Sequence, residues 1–219
     1  MKNILIIAAH SDDEALGCSG TIAKHIAQGD NVYFLFMTDG VSSRVDNDAE
    51  VRFAAVKKVS KILKVNSFDN FNFPDNKMDS IPLLNVVKKI ESKIKQIQPE
   101  VIYTHHIGDL NIDHQITHKA VMTACRPQPD FCVKEIYSFE ILSSTEWQTP
   151  GYLPFTPNVF IDITDYINIK EQVLKSYSNE MRRSPHSRSI DNVIRLNALR
   201  GNSIGIDYAE AFMLIRMGR

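Results

Sequence analysis

His10, Asp12, Asp13 and Glu14 put one imidazole and three carboxyl groups within five positions, directly after the apolar run at 4–9. A histidine and an aspartate three residues apart across a strand-to-helix turn can aim at one point. Imidazole with carboxylate suits zinc, so His10 and Asp13 read as two metal ligands. A divalent ion there would also neutralise the acidic cluster. A catalytic zinc site takes three protein ligands and keeps one position open, which calls for a third ligand elsewhere. The competing reading is local. Ser11, followed three positions later by Glu14, fits a capping box, and acids are favourable at a helix N-terminus. That reading accounts for Ser11 and Glu14 and leaves His10 without a role.

The third ligand is sought in the histidine- and aspartate-rich segment 104–120. Asp109, Asn111 and Asp113 begin like a calcium loop, but His114 stands where that loop needs glycine and Ala120 where it needs glutamate. His114 and His118 have the spacing of the H-E-x-x-H zinc helix, but Gln115 replaces its glutamate and cannot act as a base. His105 and His106 are either a ligand pair or polar residues at a strand end. His118, one turn into a helix, reads as a supporting group. His114, at a helix start beside Asp113, is the best third ligand, with His106 and His118 as alternatives. The expectation is one zinc ion held by His10, Asp13 and His114.

The elements that must position these residues alternate between strand and helix. Strands are predicted at 3–9, 32–37, 68–73, 101–104, 133–141 and 159–163. Helices are predicted at 15–28, 48–63, 81–98, 116–125, 167–181 and 190–201, and 209–215 is helix or strand. The pattern predicts a single domain over 1–219 of the α/β class, Rossmann-like, with a mostly parallel sheet and helices on both faces. Ligands of such sheets bind beyond the carboxyl ends of the strands. Three polar clusters fall at predicted strand ends, at 10–14, 38–40 and 105–114, and Asp39 in the second is a candidate pocket residue.

The 219 residues are 43% apolar and 23% charged, with a net charge of -1, which gives no global attraction to nucleic acid or an acidic membrane. The first apolar run is too short for a signal sequence, and no stretch has the roughly 20 apolar residues of a membrane span. Cys18, Cys125 and Cys132 are odd in number and lack C-x-x-C spacing, so a cytoplasmic protein with reduced thiols is expected. An oligomer is compatible with all of this.

Ala9-His10-Ser11-Asp12-Asp13-Glu14 resembles the A-H-P-D-D-E signature of the PIG-L/LmbE-like family of zinc-dependent N-deacetylases. Asn111-Ile112-Asp113-His114 resembles that family's H-x-D-H element, and 200–212 resembles its ending. The resemblance implies removal of an acetyl group from an amino sugar, nucleotide sugar or glycoconjugate. It assigns zinc to His10, Asp13 and His114 and makes Asp12 the general base. A neighbouring cation and a helix N-terminus would keep Asp12 ionised and modest in strength. Ser11 replaces the usual proline. Asn111 replaces a histidine that in many members assists the tetrahedral intermediate or the leaving group; an amide can donate a hydrogen bond to an oxyanion but cannot deliver a proton. His186 and His106 are candidates to supply the missing imidazole. Arg52 stands where the family has a substrate-facing arginine, unless it is merely solvated. Asp109 either orients a ligand or meets a sugar hydroxyl, and Trp147 either stacks on a sugar or packs in the core. Two rivals are weighed: a non-catalytic nucleotide-binding module using Gly17 and Gly20, and a metal hydrolase of another bond, such as a phosphoester. The acids at 12–14 would repel a phosphate.

Overall fold

The computed structural model describes residues 1–43 and 49–218. In chain order they form β1 (Asn3–Ala8), α1 (Asp13–Ala27), β2 (Asn31–Thr38), α2 (Ala49–Leu63), β3 (Ser67–Phe73), α3 (Leu83–Ile97) and β4 (Val101–His105). α4 (Ile112–Ala124), β5 (Glu135–Phe139), β6 (Val159–Asp162), α5 (Ile167–Ser176), α6 (Ile190–Asn202) and β7 (Ala209–Met217) follow. The strands make one sheet in the order β3-β2-β1-β4-β5-β7-β6. β3, β2, β1, β4 and β5 pair in parallel, and β7 runs antiparallel between β5 and β6.

β1 explains its own unbroken apolar run. Ile4, Ile6 and Ala8 face a core built with α1, α2, α5 and α6. Leu5 and Ile7 face a second core built with α3 and α4. A strand covered on both faces has no polar side to show. Each fully buried aliphatic side chain contributes roughly 1.5–3 kcal/mol, which anchors β1 at the centre of the sheet.

Several boundaries differ from the sequence expectation. α4 starts at Ile112, because the Asn111 side chain accepts the Asp113 N–H at 2.8 Å and caps the helix there. α5 stops at Ser176 rather than running to 181; Tyr177 leaves helical geometry and its hydroxyl donates to Glu14 Oε1 at 2.6 Å. Residues 209–217 are strand. The expected start of α2 at Asp48 lies outside the described residues.

α1 is broken at Cys18, whose φ of -152° is not helical. The break separates the Leu16 carbonyl from the Gly20 N–H, an i, i+4 pair that a continuous helix would join. A buried ion pair satisfies both groups. Lys170 Nζ donates to Leu16 O at 2.9 Å and to Glu210 Oε1 at 2.5 Å. Glu210 accepts the N–H groups of Gly20 at 3.0 Å and Thr21 at 2.6 Å. Lys170 and Glu210 are 0% and 1% exposed, so neither charge can turn to water. Removing one partner leaves an uncompensated buried charge, which costs about 3–5 kcal/mol. In urea denaturation, Lys170→Met is therefore expected to lose about that much, and the double variant Lys170→Met/Glu210→Gln, which removes the stranded charge, to recover at least half of it.

Candidate active site and metal centre

The carboxyl end of β1 delivers His10 and Asp13 across a tight turn. Asp12, at the centre of that turn, has a φ of 142°, a conformation that side-chain-bearing residues rarely adopt and that costs of order 1–3 kcal/mol. Two contacts hold it: the Asp12 N–H donates to Glu14 Oε2 at 3.0 Å, and the His10 N–H donates to Asp13 Oδ2 at 2.7 Å. Ser11 is not the helix cap. Its carbonyl accepts from Arg52 Nη1 at 3.0 Å, and α1 is preceded by Asp12 with no side-chain cap bond. The capping-box reading fails here because Glu14 and Asp13 serve the turn itself.

The carboxyl end of β4 leads into the N-terminus of α4, which brings His114 against the first pair. His114 Nε2 lies 3.3 Å from His10 Nδ1 and 3.4 Å from Asp13 Oδ1, and His10 Nδ1 lies 3.3 Å from Asp13 Oδ2. Ligand atoms about 2.0–2.1 Å from a tetrahedral centre stand roughly 3.3–3.4 Å apart, so these three side chains have the separations that a zinc site needs. The outer nitrogen of each imidazole meets a carboxylate. His10 Nε2 is 3.1 Å from Asp75 Oδ1 and 3.2 Å from Asp113 Oδ2. His114 Nδ1 is 3.0 Å from Asp109 Oδ1. Carboxylates behind the histidines fix the tautomer that turns a lone pair inward, the arrangement typical of metal-ligating imidazoles.

The electrostatics agree. Burial alone would lower both imidazoles, but the carboxylates outweigh it: Asp113, Asp13 and Asp75 raise His10, and Asp13 and Asp109 raise His114 to about 9. Positive charge is thus favoured where the ligand atoms converge. Burial pushes Asp13 up, but the facing imidazoles of His114, His105 and His10 hold it well below the usual carboxylate range. Asp75 falls to about 2, with burial opposed by His10 and Ser43. Asp12 shifts in the opposite direction to Asp13. Burial raises it, and the opposing pull of Arg188 and Arg52 does not cancel the rise.

One cavity of about 160 Å³ joins these groups; its lining includes His10, Asp12, Asp13, His114, Arg52 and Asn111, together with Asp75, Asn76 and Arg188. Arg52 is buried, not solvated: Nη1 reaches Ser11, and Nη2 pairs with Glu180 at 2.7 Å. Asp109 faces His114 and accepts from Thr145 Oγ1 at 2.7 Å and from Ser144, so it orients a histidine. Asp39 lies outside this cavity, capping its own turn by accepting the N–H groups of Val41 and Ser42, each at 3.0 Å. His106 Nε2 donates to the Leu153 carbonyl at 2.7 Å and His118 Nδ1 to the His105 carbonyl at 2.8 Å, so both support backbone. His186 is also outside the cavity lining, with Nδ1 accepting the Arg188 N–H at 3.0 Å and its ring edge-on to Trp147. Trp147 is 52% exposed, which removes it from the core.

Three contributors were not given these roles by the sequence reading, which weighed His105 only as half of a ligand pair. Asp75 follows Pro74 at the end of β3, a fourth polar strand end that could have been noticed. His105 stacks on His114 with ring centroids 3.9 Å apart, and its Nε2 accepts the Ala9 N–H at 2.8 Å. Arg188 Nη1 sits 3.1 Å from Asp12 Oδ2, and nothing in its sequence neighbourhood signals that contact. The glycines proposed for phosphate approach serve packing instead. A Cβ on Gly17 would come within 2.7 Å of Phe139, and one on Gly20 within 2.8 Å of Ile163.

Residues 5–125 match the family model described as PIG-L, GlcNAc-PI de-N-acetylase. The uncharacterized deacetylase YaiS of Escherichia coli (strain K12) is 31% identical over 81% of this chain and 91% of its own. The diacetylchitobiose deacetylase of Thermococcus kodakarensis is 26% identical over 82% of this chain and 70% of its own. Among solved structures, the N,N'-diacetylchitobiose deacetylase of Pyrococcus horikoshii superposes with a TM-score of 0.81 at 20% identity, covering 98% of this chain and 84% of its own. GalB, a 4-carboxy-2-hydroxymuconate hydratase of Pseudomonas putida, superposes at 0.77 and 20% identity, covering 100% and 98%, so the fold by itself does not name the reaction. With the family model spanning more than half of its length and a relative above 30% identity covered almost end to end, the chain belongs to the PIG-L family.

Proposed function

We propose that the protein is a zinc-dependent N-deacetylase that hydrolyses the acetamido group of an amino sugar or sugar conjugate. The observation that carries this reading is the convergence of His10, Asp13 and His114, each imidazole backed by a carboxylate, with Asp12 in the same cavity. Two nitrogens and one carboxylate suit zinc better than a hard cation. The family description and the diacetylchitobiose deacetylase relative support an N-acetylated amino sugar as the substrate class. The cavity of about 160 Å³ is smaller than the roughly 300–1,000 Å³ of a site that engulfs its ligand. It suits an acetamido group whose sugar and carrier remain outside.

Zinc bound there would polarise the amide carbonyl and acidify the attacking water. The protein's own groups do the rest. Asp12, raised by burial, takes the proton of that water and returns it to the amine nitrogen as the carbon–nitrogen bond breaks. Asp13 is held ionised and aimed by the His10 N–H. Asp75, Asp109 and Asp113 keep the two imidazoles in place. Asn111 has its oxygen committed to the helix cap and one N–H of its amide to Asn76 Oδ1 at 3.2 Å, so it lines the cavity partly engaged.

Acetate release from a panel of N-acetylated sugars and nucleotide sugars, with zinc added, tests the activity; phosphate release from phosphoesters instead would replace the reading. Alanine at His10, Asp13 or His114 is expected to remove zinc and activity together. Full zinc occupancy in His114→Ala, measured by elemental analysis, would refute the ligand set. Asp12→Asn is expected to keep zinc and lose roughly 10²–10⁴ in rate, the range for a general base, and loss of its metal would mean that the roles of Asp12 and Asp13 are exchanged. Asp109→Asn is expected to weaken zinc binding by about 10–100-fold, the usual cost of losing the carboxylate behind a ligating histidine. A zinc titration of that variant with a chelating competitor reads this directly.

A further inference from the structure

Arg188 brings a fixed positive charge to the same cavity, on a loop far from the metal-binding motifs in sequence. Its Nη1 donates to Asp12 Oδ2 at 3.1 Å and its Nε to Ser143 Oγ at 2.8 Å. Its backbone N–H is held by His186 Nδ1 at 3.0 Å, and the His186 ring rests edge-on against Trp147. The side chain is 22% exposed, so a ligand in the cavity can reach it. Among the described residues, Nη2 of Arg188 makes no hydrogen bond.

The other cavity-lining side chains that carry N–H donors are differently placed. Arg52 spends Nη1 on Ser11 and Nη2 on Glu180. Asn111 Nδ2 donates to Asn76 Oδ1, and Asn76 Nδ2 turns toward Ser43 Oγ at 3.4 Å. Arg188 keeps its whole Nη2 group for a ligand and is the cavity-lining cation paired to the residue that changes charge during the reaction.

Resting on the deacetylase reading, we propose that Arg188 is a catalytic residue that transfers its ion pair from Asp12 to the oxyanion of the tetrahedral intermediate. The sequence balances. The water oxygen bonds to the acyl carbon, one water proton goes to Asp12, and the carbonyl π pair moves onto the carbonyl oxygen. At that moment Asp12 becomes neutral and the substrate oxygen becomes negative, so the guanidinium exchanges one anionic partner for another within the cavity and no unpaired charge is left. On collapse the carbonyl re-forms, the carbon–nitrogen bond breaks, and the Asp12 proton goes to nitrogen, giving acetic acid and the free amine. Asp12 is then ionised again and recovers Arg188. A donor that strengthens only as the oxyanion forms raises kcat, whereas a donor to the planar amide would only lower KM. This role does not need the imidazole that Asn111 replaces.

The test compares the zinc-loaded parent with Arg188→Ala and Arg188→Lys. Calorimetry measures the binding of N-acetylglucosamine and of its tetrahedral methylphosphonamide analogue; acetate release is followed in parallel. Arg188→Ala is expected to lose about 10²–10³-fold in kcat, the range for one oxyanion donor. Affinity for the tetrahedral analogue should fall by a similar factor, while zinc content is unchanged and affinity for N-acetylglucosamine shifts less than threefold. Added guanidinium ion should restore part of the rate in Arg188→Ala and none in the parent, and Arg188→Lys should be intermediate. Equal loss of affinity for both ligands would make Arg188 a substrate anchor and overturn the proposal. An unchanged analogue affinity, or loss of zinc from the variant, would also overturn it. A parent that neither releases acetate nor binds either ligand would instead refute the deacetylase reading, and this proposal with it.

Discussion

Electroneutrality in a dry place is the constraint around which the rest of the protein is arranged. Asp12, Asp13, Asp75, Asp109 and Asp113 are all buried at the carboxyl end of the sheet, where unpaired charge is costly. Burial raises Glu14 to about 8, which favours its neutral form, and Tyr177 and the Asp12 N–H donate to its two oxygens. Arg188 answers Asp12, and Arg52 answers Glu180. The remaining four carboxylates, Asp13, Asp75, Asp109 and Asp113, surround two imidazoles, so positive charge between His10 and His114 relieves part of the negative excess. A site built this way favours a cation before any substrate arrives.

Holding that balance requires rigid supports on every side. The turn after β1 carries Asp12 in a strained conformation, which persists only because Asp13, Glu14 and Arg52 fasten the turn at separate points. Directly behind the turn, α1 breaks, and the Lys170–Glu210 pair repairs the break from α5 and β7. The strain at the active turn and the interrupted helix are therefore compensated by elements distant in sequence. His105 adds a flat surface behind His114, so that ring is positioned by stacking as well as by Asp109.

How much of this was legible depended on whether the signal was local. The apolar run of β1, the His10–Asp13 spacing and the clustering at strand ends are short-range patterns, and they pointed to the end of the sheet where His10, Asp13 and His114 converge. Contacts across long sequence separations left no such mark. Arg188 reads as a loop cation until the fold sets it beside Asp12, and Arg52 reads as a helix surface residue until Ser11 and Glu180 enclose it. Asn111 was legible as a replaced histidine, but not as the cap of α4, because the cap pulled the helix start back by a full turn. The end of α5 was misjudged for a related reason: apolar periodicity continues past Ser176, and a tertiary bond to Glu14 takes Tyr177 out of it. Residues 209–217 were ambiguous because a strand covered on both faces lacks a distinguishing period.

All three proposed ligands lie within the first 114 residues, yet the groups that hold them in place come late in the chain. Tyr177, Glu180, Arg188 and Glu210 reach back to Glu14, Arg52, Asp12 and the broken helix. β7 must insert between β5 and β6 before Glu210 arrives. During synthesis the ribosome therefore releases a complete ligand set long before the chain can hold it. The growing protein carries an acidic, helix-breaking turn that lacks Tyr177, Arg188 and Glu210 until the C-terminal segments bearing them emerge. Contacts of such long sequence separation close slowly. A chain cut short before its final strand would keep the signature motifs but lack Glu210, and with it the repair of the broken helix.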